Sequence, residues 1–179
     1  MKYIYTLLSA ILLLVSGATS ATAQKNSTPI TRTILGCTLG KSTIDEIKAK
    51  MTERGAEISQ ENQESQWVSY IVARGVLFAQ AKVDVQFRFF EGNLLSYTVV
   101  FKDKGDADRV NLSLIRKYIK GDDLKNIGFE GYGAEDQHTK MYHVYVYSDD
   151  YKKEFKYSFL SYLDIALDRK LSDLKASEL

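Results

Sequence analysis

The sequence predicts an α+β protein in which an antiparallel sheet has helices packed on one face. Two observations lead to this fold class: short runs alternate apolar and polar residues, and longer runs place apolar residues three or four positions apart. These runs give a helix, three strands, a helix, two or three strands and a final helix. The two halves also fit tandem helix-then-meander units, an alternative that stays open because no residue-level repeat accompanies it.

The clearest strand pattern runs from Lys82 to Phe90. Its alternating apolar residues are Val83, Val85, Phe87 and Phe89. This period predicts one buried face and one solvated face. Glu91-Gly92-Asn93 then supplies a short turn, and the same period continues from Leu95 to Phe101. Because so short a loop cannot hold a crossover, the two strands are predicted to pair antiparallel.

Further strands are expected on both sides of this hairpin. The segment from Trp67 to Arg74 is typical of a strand, and the glycine-rich segment from Gly128 to Gly133 is expected to be a loop or a short edge strand. A second hairpin is predicted from Met141 to Tyr147 and from Lys153 to Tyr162, with its turn at Ser148 to Tyr151.

Three helices are predicted from their capping residues. The run Ser42-Thr43-Ile44-Asp45 places a hydroxyl three residues ahead of a carboxylate, which predicts a helix over 43–54. A second helix is predicted from Asp106 to Gly121. Asp164 is expected to cap a terminal helix with its leucines on one stripe.

Residues 1–23 have the features of a cleavable secretory signal peptide. The positive charge of Lys2 precedes the apolar run Leu7–Val15, and small residues follow. A membrane-spanning helix needs about 20 apolar residues, so no stable membrane insertion is expected after cleavage. Residues 24–32, which contain the only proline, are expected to be a disordered arm, and residues 33–179 one domain. The predicted location is the periplasm or the exterior of the cell.

Cys37 is the only cysteine, which excludes an intramolecular disulfide. The segment Ile34-Leu35-Gly36-Cys37 loosely resembles a lipobox, whose cysteine is lipidated after cleavage. The polar residues 24–32 separate it from the apolar run, so a peptidase working at the end of that run would not reach Cys37. A buried thiol is therefore the preferred interpretation.

The charge balance disfavours polyanionic partners. The chain has 24 basic and 23 acidic residues, and loss of Lys2 makes it neutral. It also has no long block of like charge. Neither nucleic acid nor an anionic membrane surface is therefore an expected partner.

The segment Gly36 to Ser42 invites comparison with a phosphate-binding loop, in which backbone amides, a lysine and a hydroxyl hold phosphates. That motif needs four residues between its glycines, and Gly36 and Gly40 have three between them. A turn and a helix cap explain the segment better. No cofactor is expected.

The histidines give little support for a metal site or a catalytic site. His138 and His143 are the only two, and side chains five apart on a strand point to opposite faces, so a shared metal is not expected. Ser148, His143 and Asp149 would together suggest a hydrolase, but no nucleophile-elbow motif accompanies them. The chain is not expected to be an enzyme.

Seven tyrosines crowd the stretch from Tyr132 to Tyr162. They are Tyr132, Tyr142, Tyr145, Tyr147, Tyr151, Tyr157 and Tyr162. Tyrosine is enriched at protein interfaces because its ring is apolar and its tip polar, although it also favours strands for structural reasons. We expect Val144 and Val146 to face the core and the rings of the neighbouring residues to face outwards. The candidate binding residues are His143, Tyr145, Tyr147 and Tyr157.

Two short motifs carry a resemblance to known proteins: Leu39-Gly40-Lys41-Ser42-Thr43 opening a helix, and the strand pair around Glu91-Gly92-Asn93-Leu94-Leu95. With the order of elements, they resemble small exported bacterial envelope modules. The nearest are the β-lactamase inhibitor protein fold and the outer-membrane-assembly lipoproteins that share its unit. The resemblance implies a helix followed by an antiparallel sheet, often in tandem, that binds other proteins.

The sequence as a whole predicts an exported, non-catalytic binding module that recognises another envelope protein through an aromatic sheet face. Two alternatives stay open. One is a carrier that holds a small apolar or glycan ligand between sheet and helices, and the other is a small hydrolase.

Overall fold

The computed structural model describes residues 28–118, 125–126, 131–148 and 154–177, so the predicted signal peptide lies outside the described residues. This part contains three helices and eleven strands. The helices are α1 (Ile44–Glu53), α2 (Lys104–Tyr118) and α3 (Ile165–Ala176). The strands are β1 (Thr33–Ile34), β2 (Cys37–Thr38), β3 (Glu57–Ile58), β4 (Asn62–Gln63), β5 (Val68–Phe78), β6 (Ala81–Phe90), β7 (Asn93–Phe101), β8 (Lys125–Asn126), β9 (Gly131–Glu135), β10 (Thr139–Tyr147) and β11 (Phe155–Asp164).

Nine of the described strands form one sheet, in the order β3-β5-β6-β7-β11-β10-β9-β8, and β4 also pairs with β5. All of its pairings are antiparallel. The α+β class and the antiparallel pairing of both predicted hairpins, β6–β7 and β10–β11, are therefore confirmed, while most of the predicted turn from Ser148 to Tyr151 lies outside the described residues. At the centre of the sheet β7 pairs with β11, and Tyr97 lies opposite Tyr162.

The helices begin at polar residues that accept backbone hydrogen bonds. Thr43 caps α1 in a capping box with Glu46, and the side chain of Asp164 caps α3 by accepting from the Leu167 amide. Helix α2 begins at Lys104, two residues before the predicted start, because Asp103 accepts the hydrogen bond from the Asp106 amide. The capping role falls to the earlier aspartate.

One face of the sheet, which we call the helix face, packs against α1 and α2. Its central side chains include Val85, Phe87, Val99 and Leu160, which are at most 1% exposed. Ile47 and Met51 of α1 and Ala107 and Val110 of α2 belong to the same apolar cluster. This cluster is the main core, as the period-two pattern of β6 predicts.

The opposite face, which we call the reverse face, differs from the prediction of a solvated surface. Gln86, Arg88 and Thr98 lie on it and are 2%, 6% and 2% exposed. Helix α3 packs on this face rather than on the helix face, since its Leu171 clusters with Phe90 and other apolar residues there. The prediction that helices pack on one face is wrong for α3, because alternation along one strand does not reveal an amphipathic helix far along the chain.

The N-terminal segment 28–32 is attached to the domain, whereas an arm was expected. The Ile30 amide donates to Asp136 Oδ2 at 2.6 Å, and the Ile30 side chain is 5% exposed. The Thr31 hydroxyl bonds to that of Tyr118 at 2.7 Å. Arg32 donates to the buried Asp164 carboxylate. Burial of one isoleucine and three polar contacts fix these residues, so we call them the N-terminal strap.

Three hairpin turns have positive φ at both central residues, as type I′ turns require. Two of them, Leu35-Gly36 and Glu91-Gly92, contain the glycine that tolerates this conformation. The third joins β5 to β6 through Ala79 and Gln80, with φ of 47° and 67°. This turn therefore holds two residues with side chains in the left-handed region.

Candidate functional site

The candidate binding residues lie on the hairpin β10–β11, whose outer end is rich in aromatic side chains. We define the hairpin end as Tyr145, Val146, Tyr147, Phe155 and Tyr157. The rings of Tyr145 and Tyr147 each lie 6.3 Å from that of Phe155 in edge-on arrangements. Val146, Tyr147 and Phe155 are partly exposed, whereas Tyr145 and Tyr157 are 9% and 5% exposed.

The predicted facing of β10 is wrong. His143 and Tyr145 point to the helix face, where His143 lies 6.0 Å from the ring of Phe101. Val144 points to the reverse face and forms a small cluster with Val100, Tyr157 and Phe159. Both faces of this strand are buried, so its β-branched residues do not identify a single core-facing side. Tyr157 lies on the reverse face, opposite Val146.

His143 joins helix α2 to strand β11. Its Nδ1 lies 3.1 Å from Asn111 Oδ1, and its Nε2 lies 3.2 Å from Ser158 Oγ. A neutral imidazole satisfies both contacts, since Nδ1–H donates to the amide oxygen and Nε2 accepts from the serine hydroxyl. The three residues come from separate elements, which is why the sequence did not group them.

Burial lowers the pKa of His143 to about 4, and the Asp108 carboxylate opposes this only in part. Next to it, burial raises the pKa of Tyr145, and Asp108 raises it further. A hydrogen bond from Lys104 at 2.7 Å lowers the pKa of Asp108. At neutral pH the site therefore holds a neutral histidine and a neutral tyrosine beside an ionised aspartate.

Ser158, His143 and Asn111 form a hydrogen-bonded chain whose parts match a hydrolase triad: a serine, a histidine and a group that orients the histidine. Ser158 is 0% exposed and His143 1% exposed, so in this conformation a substrate carbonyl cannot reach the hydroxyl. The serine considered from the sequence, Ser148, is exposed, and Asp149 lies outside the described residues. The structure therefore brings His143 to Ser158 and Asn111 instead of to Ser148.

The other chemical candidates lie apart. His138 is exposed, and among the described residues no group of three or more histidine, cysteine, aspartate or glutamate side chains is placed to hold a metal ion. Gly40 is part of a turn before α1, with its amide bonded to the Leu94 carbonyl at 2.8 Å. Cys37 is buried in the main core, and burial raises the pKa of its thiol.

A polar row on the reverse face was missed by sequence reasoning. Gln86, Thr98 and Ser161 stand side by side on β6, β7 and β11, and the two hydroxyls bond at 2.8 Å. Next to them Arg88 makes a two-pronged ion pair with Glu64, at 2.7 and 2.5 Å. The signal was present, since polar residues alternate along β6, but it was interpreted as a surface.

Side chains of the main core lie between the sheet and helices α1 and α2. Within the described ranges no helix has the length and apolarity of a membrane span. Comparisons with protein families, with curated proteins and with solved structures found no match to this chain. The resemblance to small exported envelope modules accordingly stays a prediction.

Proposed function

We propose that this chain is an exported, non-catalytic binding module that recognises another envelope protein through the hairpin end. The observation that carries the proposal is the concentration of aromatic rings at one end of β10–β11, with Tyr147 and Phe155 partly exposed. Large rings with a partly exposed edge are the side chains that contribute most to protein interfaces.

Only some of the four binding residues predicted from the sequence keep that role in this proposal. Tyr147 keeps it because its ring is partly exposed, whereas Tyr157 is 5% exposed and packs in the cluster with Phe159 on the reverse face. Tyr145 is 9% exposed, and its ring lies 6.3 Å from that of the partly exposed Phe155. His143 is left out because it is 1% exposed and both ring nitrogens are hydrogen-bonded within the domain.

The test compares variants of the hairpin end with a variant of Tyr70, a partly exposed tyrosine on the opposite side of the sheet. Tyr147→Ala and Phe155→Ala should each weaken partner binding by about 1 to 2 kcal/mol, or roughly 5- to 30-fold in Kd. Tyr70→Ala on β5 is the matched control and should leave the affinity unchanged. The secreted protein is used as bait in envelope extract, and affinities for each captured protein are then measured by calorimetry.

Far-UV circular dichroism should show that the three variants fold. A captured protein that binds Tyr147→Ala and Phe155→Ala as tightly as the wild type would contradict the proposed surface. Equal losses in Tyr70→Ala would point to a general effect on the sheet.

We also propose that the chain is exported to the periplasm or beyond after cleavage behind Ala23. The support is the order of charge, apolar run and small residues at the N-terminus. Amino-terminal sequencing of the secreted protein should find Gln24 first. Recovery of Met1, or of a lipid on Cys37, would contradict this.

The fold itself is proposed to consist of two tandem units. The support is the order of elements, in which α1 precedes the meander β5-β6-β7 and α2 precedes the meander β9-β10-β11. Both helices contribute to the main core on the same face. Helix α3 has no counterpart after β7 and would be an addition to the second unit.

A further inference from the structure

The contact between α2 and the sheet contains a buried group that can gain a positive charge in acid. His143 stands between Asn111 of the helix and Ser158 of β11, and it is 1% exposed. The hydrogen-bond chain is complete only while Nε2 carries no proton, since the imidazolium has two donors and no acceptor. The chain of three residues therefore depends on the neutral imidazole.

The surroundings offer little to stabilise a positive charge. The groups that face His143 are Asp108 and Lys104 from α2, Tyr145 from β10, Tyr132 from β9, Phe101 from β7 and Ser158 from β11. Asp108 is the carboxylate among them, and it already pairs with Lys104 at 2.7 Å. A protonated His143 would be a buried cation beside Asp108, whose negative charge is already balanced by Lys104.

We infer that the Ser158–His143–Asn111 chain is a pH-sensitive latch that holds helix α2 on the sheet at neutral pH and releases it in acid. When α2 is released, Asn111 moves away from His143 and the imidazole gains access to water. A proton therefore binds the released state more tightly than the docked state, and acid shifts the population towards release. This inference does not depend on the proposed partner binding.

The size of the effect follows from the two states of the histidine. With a pKa of about 4 when docked and the usual 6.5 when released, lowering the pH from 7.5 to 5 should favour release by about 30-fold. Amide hydrogen exchange of the full secreted chain, corrected for the intrinsic effect of pH, measures this. Peptides from α2 should lose about 30-fold in protection, and at both pH values they should be less protected than peptides from α1, because release of α2 leaves α1 docked.

His143→Gln is the variant that removes the titration and keeps a neutral polar side chain. In it, the difference in α2 protection between pH 7.5 and pH 5 should disappear. A second measurement needs no variant: the chain has two histidines, so the imidazole resonances of His138 and His143 can be followed together by NMR. The His143 resonance should stay in its neutral position down to about pH 5, because burial in the docked state holds its pKa near 4.

Three results would overturn the latch. The first is equal protection of α1 and α2 at both pH values, which would mean that α2 opens only when the whole domain unfolds. The second is an α2 response that persists in His143→Gln. The third is a His143 resonance that titrates near the usual pKa of 6.5 while α2 stays docked.

Discussion

The helix face and the reverse face of the sheet both bury side chains, but they do so by different means. On the helix face the strands and helices α1 and α2 share one apolar cluster. On the reverse face two small clusters, one around Phe159 and one around Leu171, lie apart, with the row Gln86, Thr98 and Ser161 on the same face. On the helix face, burial depends on how apolar side chains fit together. On the reverse face, it depends on pairing polar groups with one another.

The two faces should therefore be sensitive to different kinds of substitution. The helix face should respond to lost volume. The reverse face should respond to lost partners, because Gln86 Nε2 and Ser96 Oγ already have no hydrogen-bond partner among the described residues. Each further orphaned polar group adds a desolvation cost.

The largest expected effect compares two buried phenylalanines. Phe87→Ala on the helix face should lower the free energy of unfolding by about 3 to 5 kcal/mol, because the surrounding core cannot collapse into the cavity. Phe159→Ala on the reverse face should cost less, because its apolar cluster is small. Urea denaturation of both variants measures this, and equal losses would break the comparison.

Acid should weaken the helix face through His143. Its folded pKa of about 4 lies below the unfolded value near 6.5, so its contribution is complete above pH 6.5 and is lost as the pH falls towards 4. The loss over this window should be on the order of 3 kcal/mol. Denaturation at pH 7 and pH 4.5 should show the fall in the wild type and a smaller one in His143→Gln.

The Arg88 ion pair tests the reverse face. Arg88→Ala should lower stability by about 2 to 3 kcal/mol, since it leaves Glu64 partly buried without its partner. This replaces the small effect expected for a solvated position. The double variant with Glu64→Ala should recover part of the loss, and a cycle without coupling would contradict the role of the pair.

The smallest effect lies outside both faces, in the turn between β5 and β6. Ala79→Asn with Gln80→Gly should raise stability by about 1 kcal/mol, because asparagine and glycine accept positive φ at lower cost. The same exchange is unnecessary at Glu91-Gly92, which already has its glycine. Thermal melting in parallel with the wild type measures the gain; a lower Tm would mean that the side chains of Ala79 and Gln80 are needed.

Local signals in the sequence predicted the hairpins and the caps of α1 and α3. Gly92 marked the β6–β7 turn, and Asp164 marked the start of α3, because both features depend on residues close in the chain. The facing of β10 could not be predicted in the same way. Val144 and Tyr145 are both buried, and only the position of α2 and the neighbours on β11 decides which side belongs to the main core.

The candidate site was predicted in its composition and not in its arrangement. The crowding of tyrosines pointed to β10 and β11, where the hairpin end lies. The contact of His143 with Asn111 and Ser158 depends on strand register and on the docking of a helix 32 residues earlier in the chain. No pattern of spacing encodes such a contact.

The N-terminal strap has a consequence for how the molecule is made. Its partners Asp136 and Asp164 follow Ile30 and Arg32 by 106 and 132 positions. A nascent polypeptide emerges with its amino end first, so these contacts must wait until Asp136 and Asp164 have been synthesised. Contacts of such high order slow folding because a long loop must close before they form. The N-terminal strap is therefore expected to be among the last segments to reach its native position, which keeps it accessible while the residues after it are still being synthesised.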